Sequence, residues 1–220
     1  MEGGLAVIIL AGGASRRLGA NKPLEKVGER SMLAQVIMTA SNISDEVVVV
    51  TGNPFQEALY REEIPHQIVV VHDKIHQKGP LVGLYTGLEI INSEYAAVLP
   101  SDCPFVKKEV VLCLYGMAKG RDAAVPIWAD GRVEPLHSVF RVTSAKKAAV
   151  EAMKAEMDTI REMIQQMDKV EFVPIEKMEE LDPPLLTFLN INTRADLERA
   201  RRIAREVGRT EQAMGATDRR

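Results

Sequence analysis

The sequence predicts an α/β fold of three layers, in which helices cover both faces of a mostly parallel, twisted sheet. Short, continuous apolar runs recur along the chain, as expected for strands that are buried on both faces. They alternate with longer segments whose apolar residues have helical spacing, and this alternation is typical of a parallel sheet. The 220 residues suffice for one such domain, and no linker-like stretch divides them.

The elements follow one another with clear boundary signals. Glycine, proline or asparagine closes the early strands, and Gly79-Pro80 opens a helix with a proline in its first turn. The apolar runs predict strands at residues 5–10, 47–50, 68–71, 96–99, 123–128, 137–140, 170–174 and 188–191. Helical spacing predicts helices at residues 31–40, 55–60, 80–91, 108–119 and 144–166, and a final helix from residue 193. We therefore expect a single domain over residues 1–207 and a polar tail over residues 208–220.

Composition excludes several classes of protein. The net charge of -3 and the pI near 5.9 argue against a nucleic-acid binder. Cys103 and Cys113 form neither a disulfide framework nor a metal motif, which favours a reduced, cytoplasmic setting. The first residues lack the basic segment of a signal peptide. Apolar runs stay well short of the ~20 residues that span a bilayer, so we expect no membrane association.

A glycine-rich loop follows the first predicted strand. Glycines at a strand end allow backbone N–H groups to converge on an anion, and Arg16, Arg17 and Lys22 follow with charge for phosphates. The simpler alternative is a tight turn with solvated basic residues. Residues 13–19 match neither a Walker A loop nor a dinucleotide-binding fingerprint. The loop therefore does not support an ATPase or a dehydrogenase. The loop residues themselves are Leu10, Ala11, Gly12 and Gly13.

Polar residues also follow the later predicted strands, and the ends of parallel strands share one end of the sheet. Asp102 follows a buried strand, where its carboxylate could hold Mg²⁺ or cap a helix. Asp73 has a similar position. Asn192 taken alone is better interpreted as the cap of the final helix. Cys103 is interpreted as structural, and the four histidines lack metal-ligand spacing.

These residues resemble those of the molybdenum cofactor guanylyltransferases, within the sugar-nucleotide-type nucleotidyltransferases. Residues 10–22 resemble the signature L-A-G-G-x-S-x-R-[ML]-G-x-x-K. Four later segments are similar to the G-P-L-A-G, x-x-D-x-P, P-L-H and N-x-N-T segments of that family, in the same order. They are residues 79–84, 100–105, 134–138 and 190–193. The resemblance covers residues 5–200 and implies a Rossmann-like nucleotidyltransferase fold.

The resemblance implies a role for each matching residue. Backbone atoms of the loop would contact the nucleotide, basic residues would bind phosphates and take part in catalysis, and Asp102 would bind nucleotide and Mg²⁺, joined by Asn192 as a metal ligand. Asp73 would lie near ribose or base, and the segment from Gly79 would shape the guanine pocket. The nucleotide contacts implied are Leu10, Ala11, Gly12, Gly13, Lys22, Asp73, Gly79, Pro80, Leu81 and Asp102, and the catalytic residues are Arg17, Lys22 and Asp102.

One departure from the family concerns the second strand end, where some relatives carry a nucleotide-contacting asparagine. The aligned position here is Val50, and Thr51 and Asn53 are the nearest polar residues. Gly12 stands where cytidylyl relatives carry alanine, which favours GTP over CTP.

The implied reaction transfers GMP from GTP to the terminal phosphate of molybdopterin and releases pyrophosphate. GTP and molybdopterin would be the small-molecule partners, Mg²⁺ the cofactor, and other proteins of molybdenum cofactor biosynthesis candidate partners. Two alternatives stay open. The enzyme could use CTP or another phosphorylated acceptor, such as cobinamide phosphate, phospholactate or a sugar phosphate. The fold would also permit a non-catalytic nucleotide-binding protein.

Overall fold

The computed structural model describes residues 4–12, 21–73 and 79–217, with side chains as far as residue 207. The strands in this part of the chain are β1 Leu5–Leu10, β2 Lys26–Val27, β3 Arg30–Ser31, β4 Val47–Thr51, β5 Val69–His72, β6 Tyr95–Pro100, β7 Ala123–Ile127, β8 Val139–Arg141 and β9 Val170–Pro174. The α-helices are α1 Met32–Ser41, α2 Pro54–Glu63, α3 Pro80–Ile90, α4 Lys108–Ala118, α5 Val142–Lys154, α6 Ile160–Ile164 and α7 Arg194–Thr217.

The central sheet has seven strands in the order β5-β4-β1-β6-β8-β7-β9. Only β8 among them runs antiparallel to its neighbours, while the other strand pairs of this sheet are parallel. Six strands therefore finish at the same end of the sheet, which we call the carboxyl end. The predicted mostly parallel sheet is confirmed.

Helices cover both faces of this sheet. Along β1, Val7 and Ile9 face the layer that contains α1, α2 and α4, whereas Ala6 and Ile8 face α3, α5 and α6. All four side chains are fully buried. Alternate residues of one strand thus enter two separate cores, which explains why buried parallel strands carry continuous apolar runs. The predicted three-layer fold is confirmed.

The predicted helix 144–166 is wrong as a single element. α5 ends at Lys154, and Glu156 then takes a left-handed conformation with φ 59°. Thr159 starts α6 with a capping box, because its side chain accepts from the Glu162 amide while the Glu162 carboxylate accepts from Thr159. The apolar face itself is real, since Met153 and Met157 pack on the same core as α6.

Two predicted strands near the carboxyl end of the sheet need correction. Residues 188–191 form no strand, and a 3-10 turn at Leu186–Phe188 precedes them instead. The following chain crosses the carboxyl end of the sheet, where the Ile191 amide donates to the Asp102 carbonyl at 3.1 Å. The predicted strand 137–140 begins as the 3-10 turn Pro135–His137 and becomes β8 only at Val139.

The last helix and a short hairpin form a small hydrophobic cluster separate from the two main cores. α7 packs Leu197 and Ala200 against Val27 and Met32, beside the β2–β3 hairpin that the sequence did not indicate. Its backbone continues past residue 208 to Thr217. The domain boundary at residues 207 and 208 stays a prediction.

In the described ranges, the helices are too short or too polar to cross a membrane.

Candidate active site

The centre of the candidate site is a buried lysine that joins two distant parts of the chain. The Lys22 Nζ atom lies 2.5 Å from Asp102 Oδ2 and 2.9 Å from Asn192 Oδ1. These partners are 80 and 170 residues away in sequence. The Lys22 side chain is only 10% exposed. A charged lysine is rarely buried without a partner, so this arrangement depends on the Asp102 carboxylate.

Asp102 is held by the ends of two neighbouring strands. It follows β6, and the adjacent Ser101 amide donates to the Leu10 carbonyl at the end of β1. Next to it, the buried Cys103 thiol contacts Asn190 Oδ1 at 3.2 Å. Burial, with the negative charge of Asp102, raises the pKa of this thiol well above its usual range. Cys103 is therefore a neutral thiol with a packing role, as the sequence indicated.

Asn192 does not cap the last helix, so that interpretation is wrong. Thr193 Oγ1 accepts from the Asp196 amide, and the Asp196 carboxylate accepts from the Asn192 and Thr193 amides. This reciprocal arrangement provides hydrogen-bond acceptors for backbone N–H groups at the start of α7 without the Asn192 side chain. The amide oxygen of Asn192 instead accepts from Lys22.

The glycine-rich loop begins at the carboxyl end of β1. The Ala11 amide still donates to the Val50 carbonyl at 2.8 Å, so Ala11 belongs to the sheet and its N–H is already used. A Cβ on Gly12 would lie 3.0 Å from the Gly52 backbone nitrogen, so a larger residue would require the neighbouring chain to shift. The predicted site residues Gly13 and Arg17 lie outside the described residues.

Asp73 and Leu10 face the same helix turn. The Asp73 amide extends the pairing of β4 by donating to the Thr51 carbonyl. A Cβ on Gly83 would lie 3.4 Å from Leu10 Cδ2 and 3.7 Å from Asp73 Oδ2. Burial raises the pKa of Asp73, and its buried Oδ1 atom has no partner among the described residues. An acceptor atom is thus available beside the loop.

The segment from Gly79 is explained by packing. Gly79 has φ 128°, and a Cβ there would come within 2.4 Å of the Asp158 carbonyl oxygen. The Leu81 amide donates to that same oxygen at 3.2 Å, and the Leu81 side chain is fully buried. Pro80 opens α3 without an N–H to offer. The nucleotide contacts of Gly79, Pro80 and Leu81 stay predictions.

The two polar residues near Val50, Thr51 and Asn53, both contact the protein itself. The Thr51 hydroxyl is fully buried and contacts the Val71 and Asn53 carbonyls. Asn53 caps α2 by accepting from the Gln56 amide. Both side chains are thus hydrogen-bonded within the protein.

A second group of side chains at the carboxyl end of the sheet was not singled out by residue type. Trp128 follows β7, and its indole N–H donates to Glu134 Oε1 at 2.6 Å. The Phe188 ring contacts both Trp128 and the buried His137, with centroid distances of 6.0 and 5.0 Å. The sequence offers only a partial signal for this group, because Trp128 is the single tryptophan and Glu134 opens the segment similar to P-L-H.

The oxygens around Lys22 fit a magnesium ion. Mg²⁺ in phosphoryl-transfer sites is typically held by one or two protein oxygens together with substrate phosphates and water. Asp102 and Asn192 offer such a pair, and a cationic ammonium group already lies between their oxygens. Among the described residues no larger cluster of carboxylate, histidine or cysteine ligands exists.

Known proteins resemble this chain over nearly its whole length. Residues 7–170 match the model of the MobA-like NTP transferase domain. A probable molybdenum cofactor guanylyltransferase from Methanosarcina mazei is 36% identical over 201 residues, covering 88% of each chain. One from Natranaerobius thermophilus is 33% identical and covers 96% of this chain and 100% of its own.

A solved structure has the same architecture. Molybdopterin-guanine dinucleotide biosynthesis protein A from Archaeoglobus fulgidus superposes with a TM-score of 0.79 at 26% identity. The match covers 91% of this chain and 99% of that protein. The chain therefore belongs to the family of MobA-like nucleotidyltransferases.

Proposed function

We propose that this enzyme transfers GMP from GTP to the terminal phosphate of molybdopterin and releases pyrophosphate, as a step of molybdenum cofactor biosynthesis. The names of the relatives from Methanosarcina mazei and Natranaerobius thermophilus support this choice of substrates. The observation that carries the proposal is the contact of Lys22 with Asp102 and Asn192, at the end of the sheet where the glycine-rich loop begins.

The reaction is an in-line displacement at the α-phosphorus of GTP. An oxygen of the acceptor phosphate forms the new P–O bond, and the bond to the pyrophosphate oxygen breaks. The acceptor phosphate is already ionised near neutral pH, so the site needs no strong general base. Catalysis then depends on positioning and on offsetting negative charge. Lys22, with Arg17 from outside the described residues, would supply positive charge for the phosphates.

Enzymes of this family generally depend on a divalent metal ion. We infer that the ion is Mg²⁺, held by Asp102 and Asn192, and that it offsets phosphate charge when bound. Lys22 would then contact phosphate oxygens instead of these two side chains. Leu10, Ala11 and Gly12 would border the nucleotide, and Asp73 would accept a hydrogen bond from its ribose or base. The free thiols Cys103 and Cys113 suit the cytoplasmic setting that we infer.

The test is pyrophosphate release from GTP, CTP or ATP with Mg²⁺ and molybdopterin. We expect release with GTP and molybdopterin together, and little with other nucleotides or with cobinamide phosphate, phospholactate or sugar phosphates. Preference for CTP would contradict the assignment of guanine as the base. Preference for another acceptor would contradict the assignment to molybdenum cofactor biosynthesis. Tight GTP binding without turnover of any acceptor would identify a non-catalytic protein.

The Asp102→Asn variant tests the site itself. Its amide can still accept from Lys22 but lacks the charge that holds a divalent cation, so we expect kcat to fall roughly a thousandfold. Asp45→Asn is the matched control, because Asp45 is exposed and lies outside the site. Full activity of Asp102→Asn would remove Asp102 from the mechanism.

A further inference from the structure

The strand order leaves half of the carboxyl end of the sheet without a role in binding the nucleotide. Leu10 and Asp73 lie on β1 and after β5, on one side of β6 and Asp102. On the other side lies a group that we call the Trp128 cluster. The segment between β7 and β8 contributes Trp128, Arg132, Glu134 and His137, and the 3-10 turn Leu186–Phe188 contributes Phe188. A transferase needs a place for its acceptor beside the reacting phosphate, and this side of the sheet adjoins Asp102.

A tight hairpin fixes the position of the cluster. Ile127 pairs with Val133, and the Trp128 amide donates to the Arg132 carbonyl at 2.8 Å. Gly131, with φ 84°, allows the chain to reverse. The Glu134 amide then donates to the Pro126 carbonyl at 2.9 Å. Trp128 and Glu134 are thus held by backbone pairing on both sides of the turn.

The Glu134 carboxylate is only partly used by the protein. Its Oε1 atom accepts the indole N–H of Trp128 and lies 3.8 Å from Arg132. The side chain is 15% exposed. In the part of the chain that the structure describes, no hydrogen bond engages Oε2. A sheltered carboxylate oxygen of this kind is suited to accept from N–H groups of a ligand.

The Trp128 ring presents a face that already holds a flat group. The Arg132 guanidinium lies over it, with 5.0 Å between the guanidinium carbon and the ring centroid. Arg132 is 61% exposed, so solvent weakens its hold on the indole. The Phe188 ring packs against Trp128 at an interplanar angle of 70° rather than stacking parallel to the indole. A planar heterocycle could replace the guanidinium there with little loss of internal packing.

The cluster is joined to the proposed metal ligands by a short chain segment. Phe188 packs on Trp128 and His137, Asn190 contacts Cys103, and Ile191 bonds to the Asp102 carbonyl. The Trp128 cluster and Asp102 are therefore linked through residues 188–191, of which Phe188 and Ile191 are buried.

We propose that the Trp128 cluster binds the heterocycle of the acceptor, which under the proposed function is a pterin. Trp128 stacks on the ring system in place of Arg132. The free Glu134 oxygen accepts from the N–H groups of the 2-amino-4-oxo edge of the pterin. The acceptor phosphate then points along residues 188–192 toward Asp102. A carboxylate facing two neighbouring N–H groups distinguishes a pterin from heterocycles that present acceptors at that edge.

Trp128 is the only tryptophan of the chain, so fluorescence reports on the cluster in the unaltered enzyme. Titration with molybdopterin should quench the emission saturably, because the ring stacks directly on the indole. N-acetyltryptophanamide under the same titration corrects for absorption by the pterin. An enzyme that transfers GMP to molybdopterin without saturable quenching by molybdopterin overturns the assignment.

The second test uses Glu134→Gln with Glu94→Gln as the matched control. The glutamine oxygen can keep the Trp128 hydrogen bond, while its NH₂ group is turned toward the donor edge of the pterin. We expect the KM for molybdopterin to rise roughly tenfold or more, with the KM for GTP and the unfolding temperature nearly unchanged. Glu94 pairs with Arg141 at the opposite end of the sheet, so Glu94→Gln should keep both KM values.

The outcomes separate this inference from the proposed function. Failure of the wild-type enzyme to release pyrophosphate with molybdopterin contradicts the proposed function. A normal KM for molybdopterin in Glu134→Gln, in an otherwise active enzyme, contradicts the acceptor site alone. A rise in the KM for GTP instead would place Glu134 on the nucleotide side.

Discussion

Lys22 lies between the two oxygens that would bind a metal ion, 2.5 Å from Asp102 Oδ2 and 2.9 Å from Asn192 Oδ1. The ammonium group occupies the position that a metal cation would take between these oxygens. A divalent ion and this ammonium cannot share the two oxygens at such short distances, because their charges repel strongly in a buried site. Metal and nucleotide should therefore bind together, with Lys22 moving to the phosphates.

The first prediction is that Lys22→Met strengthens metal binding to the nucleotide-free enzyme. Removing the competing charge should raise Mn²⁺ affinity about tenfold, or about 1.4 kcal/mol, and should weaken GTP binding. Electron paramagnetic resonance of free Mn²⁺ measures the first effect without any turnover. Lys26→Met is the control, because Lys26 is exposed on β2. Equal Mn²⁺ affinity in both variants would contradict the competition.

The second prediction concerns Asp73, whose pKa is raised by burial. A raised pKa in the folded state means that the ionised carboxylate destabilises the fold above that pKa, and that this effect vanishes below the ordinary value of 3.8. We expect Asp73→Asn to unfold at a higher temperature than wild type near neutral pH, and to lose this advantage in acid. The same variant should bind GTP more weakly.

Calorimetry across pH and nucleotide titration measure the two effects of Asp73→Asn. Asp168→Asn, at an exposed position, should change neither property. The Thr86 side chain donates to the Asp73 carboxylate and opposes the effect of burial on its pKa. A less stable Asp73→Asn at neutral pH would show that this hydrogen bond outweighs burial and would contradict the prediction.

The third prediction compares two helix glycines. A Cβ on Gly87 in α3 would lie 2.6 Å from Ile8 Cγ2, so Gly87→Ala should lower the free energy of unfolding by about 1–3 kcal/mol. Gly116 in α4 has nothing within 4 Å of such a Cβ, so Gly116→Ala should raise it by about 0.5–1 kcal/mol. Urea unfolding of both variants gives the comparison, and equal signs would refute the packing argument.

The fourth prediction concerns the buried His137. Burial lowers its pKa from 6.5 to about 4, an effect that a backbone interaction with Thr187 opposes only in part. Unfolded His137 therefore takes up a proton at a pH where the folded residue does not. The fold should lose about 3 kcal/mol from this residue as the pH falls from about 6.5 to about 4.

His137→Phe should remove that part of the pH dependence, whatever its effect on stability at neutral pH. Comparison of the slope of unfolding free energy against pH isolates His137 from the carboxylates that also lose stability in acid. His66→Phe, at an exposed position, should keep the wild-type slope. An unchanged slope in His137→Phe would mean that the pKa of His137 is the same in the folded and unfolded states.

The parallel core could be predicted from the sequence because strands that are buried on both faces consist of continuous apolar residues. β1 and β9 have the predicted bounds, and most other strands differ by one or two residues. The break between α5 and α6 could not be predicted from apolar spacing, because Met153, Met157 and Met163 face one core on both sides of it. Only the threonine cap and the left-handed Glu156 reveal it.

The pairing at the site was only partly predictable. The sequence indicates Lys22 as a phosphate ligand and Asp102 as a metal ligand. Their contact with each other depends on a tertiary arrangement that no local pattern encodes. Asn192 was assigned to a cap because asparagine is common there, and Thr193 with Asp196 fills that role instead. Trp128 and Glu134 acquire their significance only from the strand order, which places β7 and β8 on the far side of Asp102.

The spacing of the Lys22 partners has a consequence for the order in which the enzyme is made. A nascent chain that has reached Pro174 already contains every strand of the described seven-stranded sheet. It still lacks Asn192, which arrives only with the segment that crosses the carboxyl end of the sheet. Contacts between such distant residues form late, because long loops must close first. The scaffold can thus precede the catalytic centre, and a chain released early from the ribosome would be an inactive protein.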